Sequence, residues 1–223
     1  MAGNLVALLH LCDSLFPLGS FSHSDGLEAA ASHGEVLDSA TLGGWMDVVL
    51  SEQLRRIDGL GVSRSWRAFT GEQWLPIRAL DDELYALRPS SAGREASRAM
   101  GTRLLKTWQR LRPDGRLDRL VAKGGSATLP VAFGVVAASA GIGERAAVEG
   151  FMYTRMAAIV SSAMRLMPIG QHEGHALLAA ALDHVPSSVD GVLSDTGPLL
   201  SFTPGLDIAT MSQQYGHSRL FRS

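Results

Sequence analysis

A chain of 223 residues that is 46% hydrophobic is long enough to bury most of its apolar surface in a single core. Its formal net charge of −2 excludes the strong Lys/Arg excess of a general nucleic-acid or membrane-surface binder, and its one cysteine, Cys12, excludes an internal disulfide framework or a multi-cysteine metal site. The charges are unevenly placed: residues 1–54 hold seven acids and no Lys or Arg, whereas residues 55–119 hold fourteen basic and eight acidic residues. That pattern fits solvated helix faces, or an acidic and a basic patch that face different partners.

The opening stretch MAGNLVALLHLCDS is apolar but lacks the positive segment of a signal peptide, and His10 and Asp13 interrupt it. It reads as a short helix of a protein in a reducing, cytoplasmic compartment. Next comes SLFPLGSFSHSDGLEAA, in which Pro17 fixes φ, Gly19 and Gly26 permit close approaches, and Ser20, Ser22 and Ser24 can bond the local backbone. This is a constrained loop feeding a helix, with Asp25 and Glu28 spaced like a capping box. Ser22 or Ser24 with His23 as base would be an enzyme's reading of the loop, but sequence neighbours seldom face one another and no G-x-S-x-G elbow is present.

Helical periodicity then dominates. Leu42, Trp45, Val49, Ile57 and Leu60 recur at three to four residues, as do Trp74, Ile77, Leu80, Leu84 and Leu87, and Met100, Leu104, Leu105, Trp108 and Leu111. Ser90 and Ser91 supply a start signal, and turn clusters fall at residues 113–115, 124–126 and 141–143. The longest apolar run, residues 129–143, contains Ser139 and three glycines and is too short for a membrane span. A long helical segment from Glu144 to Met167 is stopped by Pro168, and another runs to about His184. Residues 186–206, rich in Ser, Pro, Gly and Asp, read as a loop leading to a short element, Asp207 to Gln214, and a C-terminal tail over 215–223. The expected fold is all-α: one domain over 1–223, a single helical bundle of about eight to ten helices.

Three features invite chemistry. Gly141, Gly143 and Ala146 match G-x-G-x-x-A, the outline of a dinucleotide fingerprint in a nucleotide-binding enzyme, but SSAMRLMPIG follows where a second strand and an acidic residue are needed. A helix-turn-helix corner accounts for the same residues. His172 and His175, at i and i+3, are weak candidates for a metal site or a stand-alone nickel carrier; they lack a third ligand in sequence and do not match H-E-x-x-H. The tail Arg219-Leu220-Phe221-Arg222-Ser223 places two large apolar side chains between arginines, where chains usually fray, so it either docks on its own domain or awaits another surface.

Taken in order, several stretches resemble the UreF family of urease accessory proteins. They are the loop bearing Asp13, Ser14, Pro17, Gly19, Phe21, Ser24, Gly26, Leu27 and Glu28; Arg94, Glu95, Ser97, Met100, Gly101 and Leu104; PVAFG at residues 130–134; RLMPIGQ at residues 165–171; and the ending SRLFRS. Gln213 and Gln214 stand where many members carry His-Glu. The resemblance implies an all-helical, homodimeric protein with no catalytic residues. It would bridge a UreD/UreH-type accessory protein and the UreG GTPase, so that nickel reaches apo-urease, with no cofactor of its own and no nucleic-acid or membrane partner. On that reading the partner-binding residues are Arg219, Leu220, Phe221 and Arg222, with Pro17, Gly19, Phe21, Ser24 and Glu28 and with Pro168, Gly170 and Gln171 as more rigid surface. The tail is expected to stay disordered until a partner holds it.

Overall fold

A computed structural model describes residues 2–19, 23–121, 125–215 and 220–221. The helices are α1 (Ala2–Cys12), α2 (Leu27–Ser32), α3 (Ser39–Val48), α4 (Gly59–Thr70), α5 (Trp74–Ala86), α6 (Ser91–Leu111), α7 (Gly115–Val121), α8 (Leu129–Ser139), α9 (Glu144–Leu166), α10 (Gln171–Asp183), α11 (Val185–Ser194) and α12 (Pro204–Ser212). A π-helical segment, Val49–Asp58, joins α3 to α4 without a break, and α10 and α11 abut at His184, which leaves ten helical rods among the described residues. The chain is an all-α single-domain bundle, as its periodicity predicts, and among the described residues nearly all the buried apolar side chains, Ala29 and Phe221 excepted, form one contiguous core.

Local chemistry sets the helix ends. Asp38 caps α3 by accepting the Thr41 N–H at 2.9 Å, while the Thr41 hydroxyl oxygen accepts the Asp38 N–H at 3.1 Å. The Thr41 N–H and the Thr41 hydroxyl both donate to the Asp38 carboxylate and hold it below its usual range. Ser90 caps α6 by accepting the Gly93 N–H. The capping box expected at Asp25 and Glu28 does not form: Gly26 is the N-cap of α2, and both carboxylates are engaged elsewhere.

The apolar run after residue 128 becomes α8, whose residues from Leu129 to Ala137 are all buried, so it is the central post of the bundle. α4 and α6 pack closely on it because two glycines remove side chains at the crossings. A Cβ on Gly134 would run into Ser65 Oγ and the Val62 carbonyl, and one on Gly101 would run into the backbone of residues 127–128. The start of α8 is pinned by Asp81, which accepts the N–H and the hydroxyl of Thr128 at 2.6 and 2.8 Å; burial pushes the Asp81 carboxyl up. Gly134→Val should overpack the α4–α8 crossing and cost about 1–3 kcal/mol, visible as a lowered melting temperature.

Residues 186–206 are not the continuous loop that their composition suggests. Val185, Val189 and Val192 are buried at helical spacing and build α11, while Pro186 occupies the first turn, where a missing N–H costs nothing. The Ser187 and Ser194 hydroxyls bond backbone carbonyls within or beside the helix rather than breaking it. Only residues 195–203 lack helix before α12 begins at Pro204.

Candidate functional site

Three stretches far apart in sequence meet at one place: the loop between α1 and α2, the C-terminal end of α9, and the residues after α12. α1 ends at Cys12, and the chain then turns sharply. The Leu18 N–H donates to the Phe16 carbonyl at 2.7 Å across Pro17, a γ-turn that the fixed proline φ suits. Phe16 is buried against His10 and Trp108, with ring centroids 5.4 and 6.3 Å away. Arg103 on α6 donates to the Leu18 carbonyl at 2.6 Å and lies over Gly19. The described part of the loop is therefore anchored to α6, with Pro17 itself exposed.

The loop enters α2 through two consecutive left-handed residues, Asp25 at φ 50° and Gly26 at φ 87°. At Gly26 a Cβ would come within 2.9 Å of the Thr210 backbone nitrogen, so α12 can lie directly on the turn. Asp25 is ion-paired with Arg155 of α9, whose guanidinium is pushed down to about 10 by burial and so stays charged at neutral pH. That pair fixes the loop to α9.

Gln213, in the 3₁₀ turn after α12, is the hub of the site. It is 4% exposed, and its side-chain oxygen accepts the hydroxyl of Ser24 at 3.1 Å and the N–H of Gly26 at 3.0 Å. Its amide group donates to Glu28 Oε2 at 3.4 Å. Glu28 then accepts the backbone N–H groups of Leu220 at 2.6 Å and Phe221 at 3.2 Å. Phe221 is 2% exposed, with the Arg165 guanidinium 4.2 Å above its ring centroid. Leu220, beside it, is 68% exposed.

The expectation of a tail left undocked in the lone chain is corrected at this point. Phe221 has a socket on its own polypeptide, because Glu28 offers a carboxylate to two backbone donors and Arg165 offers a cation to the ring. Leu220 is held facing outward. Ser24 and Glu28 are brought to the tail directly. Pro168, Gly170 and Gln171 follow Arg165 by a few residues and are exposed, while Pro17 and Gly19 lie at the α6 end of the loop. Phe21, Arg219 and Arg222 lie outside the described residues. The sequence reading missed Gln213 and Arg165. Gln213 attracted notice only, with Gln214, as a departure from His-Glu, and nothing in the sequence separates it from its neighbour Gln214.

Among the described residues neither the dinucleotide turn nor the histidine pair is assembled into a site. Gly141 and Gly143 sit in the turn between α8 and α9, where the Ile142 N–H donates to the Ala137 carbonyl at 2.9 Å; the element before them is a helix, so the strand that a dinucleotide fingerprint requires is replaced by α8. Ala146 lies in the first turn of α9. His172 and His175 are exposed on α10, and among the described residues no three His, Cys, Asp or Glu side chains gather as a metal site. Among the described residues no helix is long and apolar enough to cross a membrane.

Cys12 lies beside the loop with its thiol donating to the Gly150 carbonyl at 3.6 Å, and burial pushes it up to about 12. At pH 8 the folded chain should therefore react with a disulfide reagent at least about a hundredfold more slowly than the chain unfolded in guanidinium. Equal rates would show that the α1–α9 contact opens freely.

Known proteins resemble this chain along its whole length. The UreF family model matches residues 36–182. The chain is similar to the urease accessory protein UreF of Lachnoclostridium phytofermentans, 32% identical over 228 residues that cover 100% of both chains. It is 33% identical to that of Paenarthrobacter aurescens over 98% of this chain and 97% of the relative, and 31% identical to that of Microcystis aeruginosa over the same shares. With a family model covering most of its length and full-length relatives above 30% identity, the chain belongs to the UreF family of urease accessory proteins.

Proposed function

We propose that this chain is a non-catalytic adaptor of urease maturation, bridging a UreD/UreH-type accessory protein and the UreG GTPase so that nickel is inserted into apo-urease. It works in the cytoplasm as a homodimer, carries no cofactor of its own, and lets nickel pass at most through the assembled complex. Membership of the family supports the accessory role. The observation that carries the bridging role is the composite surface in which Phe221 is locked down and Leu220 is presented outward.

A docked tail alters the physics of recognition. A disordered segment would lose ordering entropy on binding, whereas a tail already held by Glu28, Gln213 and Arg165 offers its apolar anchor without that cost. Leu220 then acts as an anchor on a prepositioned surface. The test is deletion of residues 218–223. The truncated chain should keep its helical circular dichroism yet fail to co-purify with the UreD-type protein, and a strain carrying it should accumulate apo-urease. Undiminished co-purification would overturn the reading.

A further inference from the structure

Between Ala96 and Pro113 the chain holds Arg98, Arg103, Lys106, Arg110 and Arg112 and no acid. Arg103, Lys106 and Arg110 stand at i, i+3 and i+7 on α6, so they share one face within about 60° of one another. All three are exposed, while the far side of the helix buries Leu104, Leu105 and Trp108 in the core. Among the described residues no carboxylate forms an ion pair with any of the three. Arg103 donates to the Leu18 carbonyl instead. The acids of the flanking turns are engaged: Asp114 accepts Arg116 and the Ser139 hydroxyl, Asp118 accepts the Gln109 amide, and Asp13 accepts the Leu15 N–H.

A helix face built for solubility alone intersperses both signs, because like charges three and four residues apart repel. Here Arg103 faces Lys106 and Lys106 faces Arg110, two repulsive pairs that no neighbouring acid offsets. The helix dipole favours cations in the last turn, which accounts for Arg110, but Lys106 and Arg103 stand more than a turn from the end at Leu111. We infer that this face of α6 is a docking surface for an acidic segment of a partner protein, one whose Asp or Glu side chains repeat at the spacing of the three cations.

The argument is charge complementarity at a matched spacing. The cations follow one another at rises of about 4.5 and 6 Å, the rises of carboxylates at i, i+3 and i+7 on an opposing helix. A protein segment suits the face better than a nucleic acid does. The one aromatic residue between Ala96 and Pro113, Trp108, is fully buried, so no ring is presented for a base to stack on, and Leu111, 54% exposed beside Arg110, offers apolar contact instead. The face is also separate from the tail surface. The start of α6 meets α12 where Ser91 and Arg94 face Ile208 and Met211, and Arg103 lies about 18 Å farther along the helix than Ser91. The inference therefore does not depend on the bridging role, and its failure would leave that role standing.

The test is fluorescence anisotropy with the full chain and a labelled alanine-rich helical peptide carrying glutamates at i, i+3 and i+7. At about 20 mM salt the peptide should bind with a dissociation constant below about 1 mM, and at about 150 mM salt more weakly. Lys106→Glu and Arg110→Glu should each weaken binding by about fivefold or more, whereas Arg78→Glu, the same change of net charge at an exposed position of α5, should leave it within about twofold. Lys106→Glu turns both repulsive pairs into attractive ones, so its melting temperature should equal or exceed that of the unaltered chain while its affinity falls. A face that serves only the helix would not separate those two readouts. No binding at 1 mM peptide, or equal losses from Lys106→Glu and Arg78→Glu, would overturn the inference. So would an RNA oligonucleotide of equal charge that binds more tightly than the peptide and loses that affinity in Lys106→Glu, since the occupant would then be a nucleic acid.

Discussion

Glu28→Ala should release the end of the chain from its own domain and weaken capture of the UreD-type partner by one to two orders of magnitude, roughly, as judged from its dissociation constant. The carboxylate accepts two backbone N–H groups of the tail and the amide of Gln213, so its loss leaves three donors without their acceptor. Hydrogen bonds to a charged group contribute about 1.5–3 kcal/mol net, and part of that reappears as affinity when a recognition segment is prepositioned. The helical fold should survive, because Glu28 is half-buried at the surface and the core beneath α2 is formed by Leu27, Ala29 and Ala30. Hydrogen exchange at Leu220 and Phe221 should rise to the rate of an unstructured peptide in the isolated variant. Partner affinity unchanged while that exchange accelerates would show that docking of the tail has no part in recognition.

The largest loss of stability is expected from Arg88→Met. Asp58 ends the π-helical segment with its side chain 2% exposed, and its partners are Arg88 at 2.7 Å and Gln53 at 3.5 Å. Removing one member of a buried pair leaves an uncompensated charge, which costs about 3–5 kcal/mol. For a chain of this length that corresponds to a melting temperature lower by about 6–20 °C in calorimetry. Arg88→Met combined with Asp58→Leu should recover most of the loss, since replacing both partners with apolar groups of similar size removes the charge as well. A single variant as stable as the parent would mean that water reaches Asp58.

The parts of the fold legible in the sequence were those with strong local causes. The stripe from Leu42 to Leu60 crosses a π segment without losing its buried face, and Ser90 caps α6 where the hydroxyl was expected. α11 was hidden because Pro186, Ser187 and Ser188 have the composition of a loop, while the helix is held by three valines whose burial depends on tertiary packing. The site was half legible. Pro17, Ser24, Glu28 and the apolar tail stood out as residue types, but the bond from Gln213 to Ser24 spans 189 positions, and no local pattern encodes it. For the same reason Asp25 and Glu28 had the spacing of a capping box, yet each carboxylate found a better-placed partner, Arg155 for one and the tail N–H groups for the other.

The central claim is that the outward-facing Leu220, held by a docked Phe221, is an anchor for the UreD-type partner. Titration calorimetry of that partner with the Leu220→Asp chain tests it most directly, because the side chain is exposed and its replacement leaves the fold untouched. The account predicts affinity lower by about a hundredfold with the melting temperature unchanged. Binding as tight as that of the unaltered chain would contradict it.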